Sequence, residues 1–494
     1  MLFRSREDHL QSRGMYGTRN EEMLAELSSI TLYVCTMGFK VLFGKNGTMP
    51  FGYITKNKEE TQMKKLVSLT LAVMMLLSLV SVATAADDPI IINFWHTGGS
   101  GGLQAAVQFA VEKFNTTVGA EKGIQVVETY IGGYDDLTAK IQLSIQAGEQ
   151  PQVAITANTQ IGWFMEDGVL ADMMPYAEQD GWDVSNIMDP FMLTMGNQDG
   201  QLHSVPFFRS TPMLYYNKTM ADELGLTPPA TMEELEEFAK ALYKVNANGE
   251  VEVWGFESLK DFGYFQGANL WQLGSSMFNE DGTASPCLDD GTLLKVFSDW
   301  RRWVDEGWCR PFDSTNQGAT MTELFYQGKL GSFWYSCGGL RNVLNGATEA
   351  GFELGLMPYT TYVADNQVSE IGGGNVAIIG AGNTDEQIAA SWEFIKVLMS
   401  DEVVANTHFA TGYLPVTKSV ASYQPLIDAW EANPLLRVAY DQLPNAIPQE
   451  YPYVSYLQDF TIQLWDASSL LIQDRSITPE EAVEYVRVNS ADLF

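Results

Sequence analysis

A serine flanked by glycines is the pattern in this chain that comes nearest to an enzyme motif. Gly98-x-Ser100-x-Gly102 lies between an apolar run and an amphipathic segment, and G-x-S-x-G at a strand–turn–helix junction is typical of a hydrolase nucleophile. In such enzymes earlier strands supply the oxyanion loop, whereas the apolar run that leads directly into this motif has no folded strand before it. A glycine- and serine-rich turn after a strand is also an ordinary ligand-facing loop, so hydrolysis at Ser100 is kept only as an alternative.

Metal and nucleotide chemistry have little support in the sequence. The histidines do not pair at metal-ligand spacing, and no Cys-x-x-Cys occurs. The loop around Ser100 lacks the Gly-Lys-Ser/Thr of a phosphate-binding loop and the spacing of a dinucleotide fingerprint. We therefore expect no metal centre and no cofactor.

Aromatic side chains recur in polar, glycine-rich loops. These loops are 132–136, 262–265, 333–339 and 411–413. Aromatic faces stack on the C–H faces of a sugar ring, and each desolvated hydroxyl needs a fixed donor or acceptor. The loops therefore favour a polyhydroxylated ligand, although core packing explains most single aromatic residues.

Strand and helix patterns alternate along the mature chain. The hydrophobic patterns predict strands at residues 90–95, 124–130 and 153–156 and helices at residues 103–114 and 134–147. Such alternation indicates βαβ units and a mostly parallel sheet. Capping boxes open helices after Thr231 and Thr384, and Thr478-Pro479 opens the C-terminal helix.

The chain is strongly acidic. Its 494 residues carry 29 Lys and Arg against 62 Asp and Glu, a net charge of −33. Neutralising phosphates requires clustered basic side chains, so nucleic acids and anionic membranes are excluded first as partners. The hydrophobic content of 46% indicates folded domains rather than disorder.

A secretory signal peptide lies inside the chain, over residues 63–85. Met63-Lys64-Lys65 precedes an uncharged apolar run, and Ala83-Thr84-Ala85 forms a small-x-small cleavage site. A transmembrane anchor is the alternative, but the run is short for a membrane span. We predict that residues 1–62 are a gene-start artefact, with translation starting at Met63; a disordered extension is the alternative.

The mature chain is more acidic than the whole. Residues 1–85 hold ten Lys and Arg against seven Asp and Glu, so 409 residues remain with a net charge of −36. None of the three cysteines that remain sits at the cleavage site, so we expect a soluble periplasmic protein without a lipid anchor. Export permits a disulfide, and Cys287–Cys309 is the preferred pair, with Cys337 left over, although sequence does not fix connectivity.

The order of several segments resembles the extracellular solute-binding proteins of ABC importers, specifically the carbohydrate-binding group that includes glycerol-phosphate binders. The segments are Gly133–Leu137, Gln146–Pro151, Ser210–Lys218, Pro228–Glu234, Ile371–Asn375 and Thr411–Val416. The resemblance spans nearly the whole mature region.

This resemblance implies an α/β fold of two lobes, with the ligand in the cleft between them and a hinge that the chain crosses more than once. By analogy, residues 86–207 plus 375–417 form the N-terminal lobe and residues 208–374 plus 418–494 the C-terminal lobe. Ligand binding closes the hinge, and the closed form docks on a membrane permease.

The resemblance also implies a set of ligand-binding residues. They are Tyr134, Asp135, Asn158, Arg209, Ser210, Phe262, Tyr264, Trp334, Ser336, Gly373 and Tyr413. Phe262 or Tyr264 falls near the stacking tryptophans of the glycerol-phosphate binders, and Asn158 stands where those proteins have an acidic residue.

One departure from the glycerol-phosphate binders bears on the ligand. Their C-terminal lobe supplies an arginine to the phosphate, whereas no Lys or Arg occurs here between Arg437 and Arg475. Aromatic residues fill the interval: Tyr451, Tyr453, Tyr456, Phe460 and Trp465. A buried dianion without a cation is disfavoured, so a neutral saccharide is favoured, with Arg209 the one residue that could accommodate an anion.

The expected function is therefore that of the substrate-binding component of an ABC importer, and not that of an enzyme. Its ligand would be a mono- or oligosaccharide, and its protein partner a membrane permease. Glycerol 3-phosphate or a glycerophosphodiester is the alternative ligand, and a serine hydrolase that uses Ser100 the alternative class. We expect a monomer with no nucleic-acid partner.

Overall fold

The computed structural model describes residues 88–192, 200–313, 317–448 and 454–494. The predicted N-terminal extension and the signal peptide lie outside these residues. No helix within the described ranges is long and apolar enough to cross a membrane.

The described residues form twelve strands. They are β1 (Ile90–His96), β2 (Ile124–Tyr130), β3 (Val153–Ala157), β4 (Val205–Ser210), β5 (Pro212–Asn217), β6 (Lys244–Val245), β7 (Val251–Glu257), β8 (Cys309–Arg310), β9 (Leu330–Ser336), β10 (Leu354–Met357), β11 (Ser369–Ile378) and β12 (Ala446–Pro448).

Helices connect and cover these strands. They are α1 (Gly101–Thr116), α2 (Val118–Lys122), α3 (Tyr134–Ala147), α4 (Ile161–Glu166), α5 (Met174–Asp180), α6 (Asp189–Met192), α7 (Lys218–Glu223), α8 (Met232–Leu242), α9 (Phe262–Phe265), α10 (Gly267–Gln272), α11 (Thr292–Asp305), α12 (Gln317–Tyr326), α13 (Leu340–Ala350), α14 (Asp385–Leu398), α15 (Asp401–Thr411), α16 (Gln424–Ala432), α17 (Leu435–Gln442), α18 (Leu457–Ser468) and α19 (Pro479–Asn489).

The strands form two mixed sheets in a two-lobed α/β fold. The first sheet has the order β12-β11-β3-β1-β2, with β4 also paired to β11. The second has the order β10-β5-β9-β7-β6, with β8 paired to β7. The α/β class and the two-lobed architecture predicted from the sequence are confirmed.

The expectation of a mostly parallel sheet is wrong in detail. β1 runs parallel to β2 and β3, but β11 runs antiparallel to β3 and β4, and β5 runs antiparallel to β9 and β10. Helices connect β1, β2 and β3, as parallel neighbours require. Only Thr211 separates β4 from β5, so the chain passes directly from the first sheet to the second there.

Two strands span the lobe boundaries that were inferred by analogy. β4 runs through the boundary at residues 207/208, and β11 runs through the one at 374/375. Each of these strands pairs only within the first sheet over its described ladder. β4 therefore leaves the first sheet after Ser210, and β11 enters it at Ser369.

The predicted elements of the N-terminal region follow from alternating burial. β1 buries every second side chain, among them Phe94, and α1 covers it with residues spaced three or four apart, from Ala106 to Phe114. Phe394 of α14 packs edge-on against Phe94 and Phe114, with ring centroids 5.2 and 5.3 Å apart. These contacts hold α1 and α14 against β1. The loops around Ser100 and Tyr134 follow the ends of β1 and β2.

The capping boxes are formed as predicted. The side chain of Thr231 accepts a hydrogen bond from the Glu234 backbone amide, and the same reciprocal pattern opens α14 at Thr384 and α19 at Thr478. Each cap satisfies amide groups that the first turn of a helix leaves without partners.

The preferred Cys287–Cys309 disulfide is not formed. Both residues and Cys337 are buried free thiols. The sulfur of Cys287 lies 3.4 Å from Ser285 Oγ, and that of Cys309 lies 3.8 Å from the Arg310 carbonyl oxygen. The two thiols thus contact different local neighbours, and burial raises the pKa of Cys287 to about 12.

Candidate ligand-binding cleft

A cavity of about 530 Å³ is lined by residues from elements of both sheets; we call it the cleft. Its lining from β3, β4, β11 and the helices beside them is Gly133, Tyr134, Asp135, Asp136, Ala157, Asn158, Thr159, Gln160, Ser210, Gly373 and Tyr413. Its lining from β9, α9, α18 and the residue before α9 is Asp261, Tyr264, Phe265, Ser336, Gln458, Thr461 and Trp465. The volume lies within the usual range for small-molecule sites.

The structure brings together eight of the eleven residues that the resemblance implied. They are Tyr134, Asp135, Asn158, Ser210, Tyr264, Ser336, Gly373 and Tyr413. The other three, Arg209, Phe262 and Trp334, do not line the cleft.

Arg209 lies behind the cleft rather than in it. Along β4 it precedes Ser210, and successive side chains of a strand point to opposite faces. Its fully buried guanidinium donates to Asn375 Oδ1 at 3.1 Å and to the Ile371 carbonyl oxygen at 3.4 Å. The structure therefore gives Arg209 a packing role between β4 and β11.

Phe262 and Trp334 are core residues. Phe262 packs edge-on against Phe297 of α11, with centroids 5.2 Å apart. Trp334 precedes Ser336 by two residues on the same face of β9. Its ring centroid lies 4.9 Å from that of Phe256. Both side chains are fully buried, so neither ring has a face free for a ligand.

The hydroxyl of Tyr264 joins the two sheets at the floor of the cleft. It lies 2.8 Å from Ser210 Oγ at the end of β4 and 3.3 Å from Ser336 Oγ at the end of β9. The Ser336 hydroxyl also accepts a hydrogen bond from the Gly338 amide at 3.2 Å. One phenol thus holds together polar groups that the sequence separates by more than a hundred residues.

The ring of Tyr413 lines the cleft and is supported by packing against a neighbouring aromatic ring. Its ring stacks on Phe208, with centroids 5.0 Å apart and planes 8° from parallel. A Cβ atom on Gly338 would lie 2.5 Å from the Tyr413 ring, so glycine is required for this close approach. Gly373, with φ of 104°, likewise has no room for a side chain beside the Phe208 carbonyl.

His408 fixes the backbone of Tyr413. Its Nε2 accepts from the Trp430 indole at 3.0 Å, so its Nδ1 carries the proton and donates to the Tyr413 carbonyl oxygen at 2.7 Å. Burial lowers the pKa of His408 to about 4. The imidazole is therefore neutral at physiological pH, as this pair of bonds requires.

Asp261 and Trp465 are cleft residues that no motif indicated. The Trp465 indole donates to Asp261 Oδ1 at 2.9 Å, and Lys260 places its ammonium 5.6 Å from the Trp465 ring centroid. The two partners are 204 residues apart. The only signal in the sequence was the aromatic enrichment of the interval that contains Trp465.

Polar side chains position one another on the opposite wall. Gln160 donates to Asp135 Oδ1 at 2.9 Å and accepts from the Thr138 hydroxyl at 2.6 Å. Thr159 donates to Gln458 Oε1 of α18 at 2.6 Å. This last bond connects the two walls of the cleft directly.

Two buried polar groups of the cleft have no hydrogen-bond partner among the described residues: Asn158 Nδ2 and the Tyr134 hydroxyl. Asn158 is 3% exposed. Tyr134 lies beside Thr97 and Tyr413 but in no hydrogen-bonding geometry with either, and burial raises its pKa to about 12. Unsatisfied buried donors are costly, so both groups are suited to a ligand's oxygen atoms.

The cleft is acidic. Its described lining contains three acidic residues, Asp135, Asp136 and Asp261, and no Lys or Arg. Burial raises the pKa of Asp261, and the charge of Asp135 adds to that rise. The arrangement suits ligands rich in hydrogen-bond donors and opposes a phosphate. Within the described ranges no three His, Cys, Asp or Glu residues cluster to hold a metal ion.

Ser100 lacks the arrangement of a catalytic serine. His96, four residues before it, accepts from the Gly98 amide at its Nδ1 and contacts Glu128 Oε2 at 2.7 Å through its Nε2. Both nitrogens of this imidazole are therefore engaged with groups other than the exposed Ser100.

Residues 110–438 match the model of the family described as bacterial extracellular solute-binding protein. Among curated proteins, the chain is similar to the sn-glycerol-3-phosphate-binding periplasmic protein UgpB of Yersinia pestis. The two are 25% identical over 374 residues, which cover 73% of this chain and 82% of the relative.

Solved structures of similar fold include UgpB from Mycobacterium tuberculosis in complex with glycerophosphocholine. Its TM-score is 0.70 at 22% identity, with 81% of this chain and 97% of that chain covered. Another is the ABC substrate-binding protein Lmo0181 from Listeria monocytogenes in complex with cycloalternan, with a TM-score of 0.69 at 20% identity and coverage of 82% and 99%.

Proposed function

The chain belongs to the bacterial extracellular solute-binding proteins of ABC importers, and on that premise we propose that it captures a carbohydrate in the cleft and delivers it to a membrane permease. The chain is thus an exported protein. We propose that the cleft residues named above contact the ligand. We also propose the two lobes inferred by analogy, but with the hinge at Thr211 and at the start of β11 instead of at 207/208 and 374/375, because β4 and β11 pair within the first sheet.

One observation carries the choice of carbohydrate over a phosphorylated ligand. The cleft offers Tyr413, Tyr264 and Trp465 as aromatic surfaces and several polar side chains, but none of its described lining residues is a cation. Sugar rings stack on aromatic faces, and their hydroxyls pair with carboxylates and amides. A phosphate would bring its charge against carboxylates without a partner to offset desolvation.

Glycerol 3-phosphate or a glycerophosphodiester is the second candidate, because the curated relatives are named for the former. The position of Arg209 argues against it. Its guanidinium lies behind the cleft against Asn375 and Ile371, so it would have to leave these partners to reach an anion.

Thermal-shift screening of the purified exported protein tests the ligand class, since a ligand that prefers the folded state raises the melting temperature. We expect stabilisation by members of a panel of mono- and oligosaccharides, followed by calorimetric titration of each hit. Stabilisation by glycerol 3-phosphate or glycerophosphocholine alone would contradict the carbohydrate assignment.

Relatives of this chain are substrate-binding proteins, which is consistent with a function other than catalysis. A fluorophosphonate probe tests the hydrolase alternative. Labelling that disappears in Ser100→Ala would favour a hydrolase, and we expect no labelling above the level of that variant.

A further inference from the structure

Gln442, the last residue of α17, binds the segment that joins the two sheets. Its Nε2 donates to Thr211 Oγ1 at 2.7 Å and to the Pro212 carbonyl oxygen at 3.2 Å. Thr211 is the residue between β4 and β5, and Pro212 begins β5. One side-chain amide therefore binds both residues at which the chain leaves the first sheet for the second.

The hydroxyl of Thr211 extends this contact to the other connection between the sheets. It accepts from Gln442 and donates to Ser369 Oγ at 3.2 Å. Ser369 begins β11 and pairs with Ala446 of β12 in the first sheet. Only residues 443–445 separate Gln442 from β12. A row of three buried side chains, Gln442, Thr211 and Ser369, thus joins three segments at the hinge; we call it the hinge row.

Gln442 is anchored on the side of the second sheet and away from the cleft. Its Oε1 accepts from the Tyr359 amide at 2.7 Å, and the Tyr359 ring lies 4.8 Å from that of Trp334 in β9. Gln442 lines a separate cavity of about 240 Å³, which shares no lining residue with the cleft. Its side chain therefore contacts the hinge without contributing to the cleft wall.

The hinge row can be complete at one hinge angle only. Rotation about ψ of Thr211 moves its hydroxyl relative to the Pro212 carbonyl oxygen, and rotation about φ of Thr211 moves it relative to Ser369. The proline ring fixes the next φ and confines Thr211 to extended backbone, so few other torsions can absorb the motion. All three side chains of the row are buried, and a buried polar group that loses its partner is costly.

The complete row occurs together with a cleft whose walls are in contact, since Thr159 donates to Gln458 at 2.6 Å in the same structure. We propose that Gln442 is a positioning residue that stabilises the closed form of the hinge and thereby raises the affinity for every ligand by the same factor. This inference rests on the hinge of the proposed function but on no particular ligand. When the binding-competent form is less populated, every apparent dissociation constant rises by the same ratio.

Gln442→Leu tests the inference, because leucine fills a similar space without an amide. The probes are the two tightest binders from the panel of saccharides and glycerol phosphates, titrated by calorimetry. We expect both dissociation constants to rise about fivefold, as for the loss of one buried hydrogen bond. The stoichiometry, and the radius of gyration with saturating ligand, should equal those of wild type. Thr211→Val removes the central hydroxyl, keeps the β-branched shape and should raise both constants by a similar ratio.

Gln424→Leu is the matched control, because the Gln424 amide donates to Asp428 on the exposed surface of α16, and its dissociation constants should equal those of wild type. Unchanged or lower dissociation constants in folded Gln442→Leu or Thr211→Val would overturn the inference, even if the melting temperature fell. So would a ratio that differs between the two ligands, since that would indicate an effect on the cleft itself. Binding of glycerol phosphates alone would contradict the carbohydrate function and still allow the ratio to be measured.

Discussion

The phenol oxygen of Tyr264 lies 2.8 Å from the hydroxyl oxygen of Ser210, which places a hydrogen bond between the one-turn helix α9 and the last residue of β4. Tyr264 also reaches Ser336 at 3.3 Å. The floor of the cleft is therefore a polar junction between elements of both sheets.

Tyr264→Phe removes this junction while keeping the ring. We expect a loss of about 1 kcal/mol in ligand binding or in the free energy of unfolding, because Ser210 and Ser336 lose a buried partner. Calorimetric titration and denaturant unfolding measure the two effects. Tyr326→Phe is the control, since its hydroxyl contacts the Asn342 carbonyl outside the cleft. Identical affinity and stability in wild type and Tyr264→Phe would contradict the role of the hydroxyl.

Tyr413→Ala should weaken binding without unfolding the protein. The substitution removes the ring that stacks on Phe208 and faces the cleft, and stacking contacts of this kind contribute about 1 kcal/mol each. Tyr413→Phe, which retains the ring, should keep most of the affinity. Unchanged binding by the alanine variant, with circular dichroism like that of wild type, would remove Tyr413 from the site.

Acid should destabilise the protein through His408. Burial lowers its pKa to about 4 from 6.5, so between these values the unfolded state binds more protons and the free energy of unfolding falls as pH falls. We expect the melting temperature of His408→Gln to fall less than that of wild type between pH 6.5 and pH 4. His203→Gln, a change away from Tyr413, should follow wild type. Parallel pH profiles for wild type and His408→Gln would refute this assignment.

Reducing agents should leave the melting temperature of the exported protein unchanged, because its three cysteines are buried free thiols. Burial raises the pKa of Cys337 to about 12, which keeps it unreactive in the folded state. A thiol reagent should label three cysteines in denaturant and essentially none before unfolding. Labelling of only one in denaturant would indicate a disulfide after all.

Local patterns predicted local structure well. The bounds of α3, from Tyr134 to Ala147, and the cap at Thr231 follow from hydrophobic spacing and side-chain chemistry within a few residues. The resemblance implied eight residues that line the cleft. It could do so because it depends on the order of several segments along the chain, and the ends of those segments meet at the cleft.

The sequence did not predict side-chain depth or distant pairing. Trp334 and Ser336 share a strand face, and only the position of the strand end decides which one reaches the cleft. Arg209 and Ser210 differ by one residue, which reverses the face. Asp261 and Trp465 form a hydrogen bond although they are 204 residues apart, and local sequence patterns do not predict such distant contacts.

The hydrogen bond from Thr159 to Gln458 joins the walls of the cleft without any atom of a ligand. A protein that closes on its cargo therefore gains part of its closing energy from contacts that an empty cleft can also make. Only the remaining part of the closing free energy can depend on the identity of the ligand. This bond therefore stabilises the closed form to the same extent with every ligand. On the proposed function, Gln458→Ala should therefore weaken the retention of every ligand and lower the fraction of empty protein that is closed.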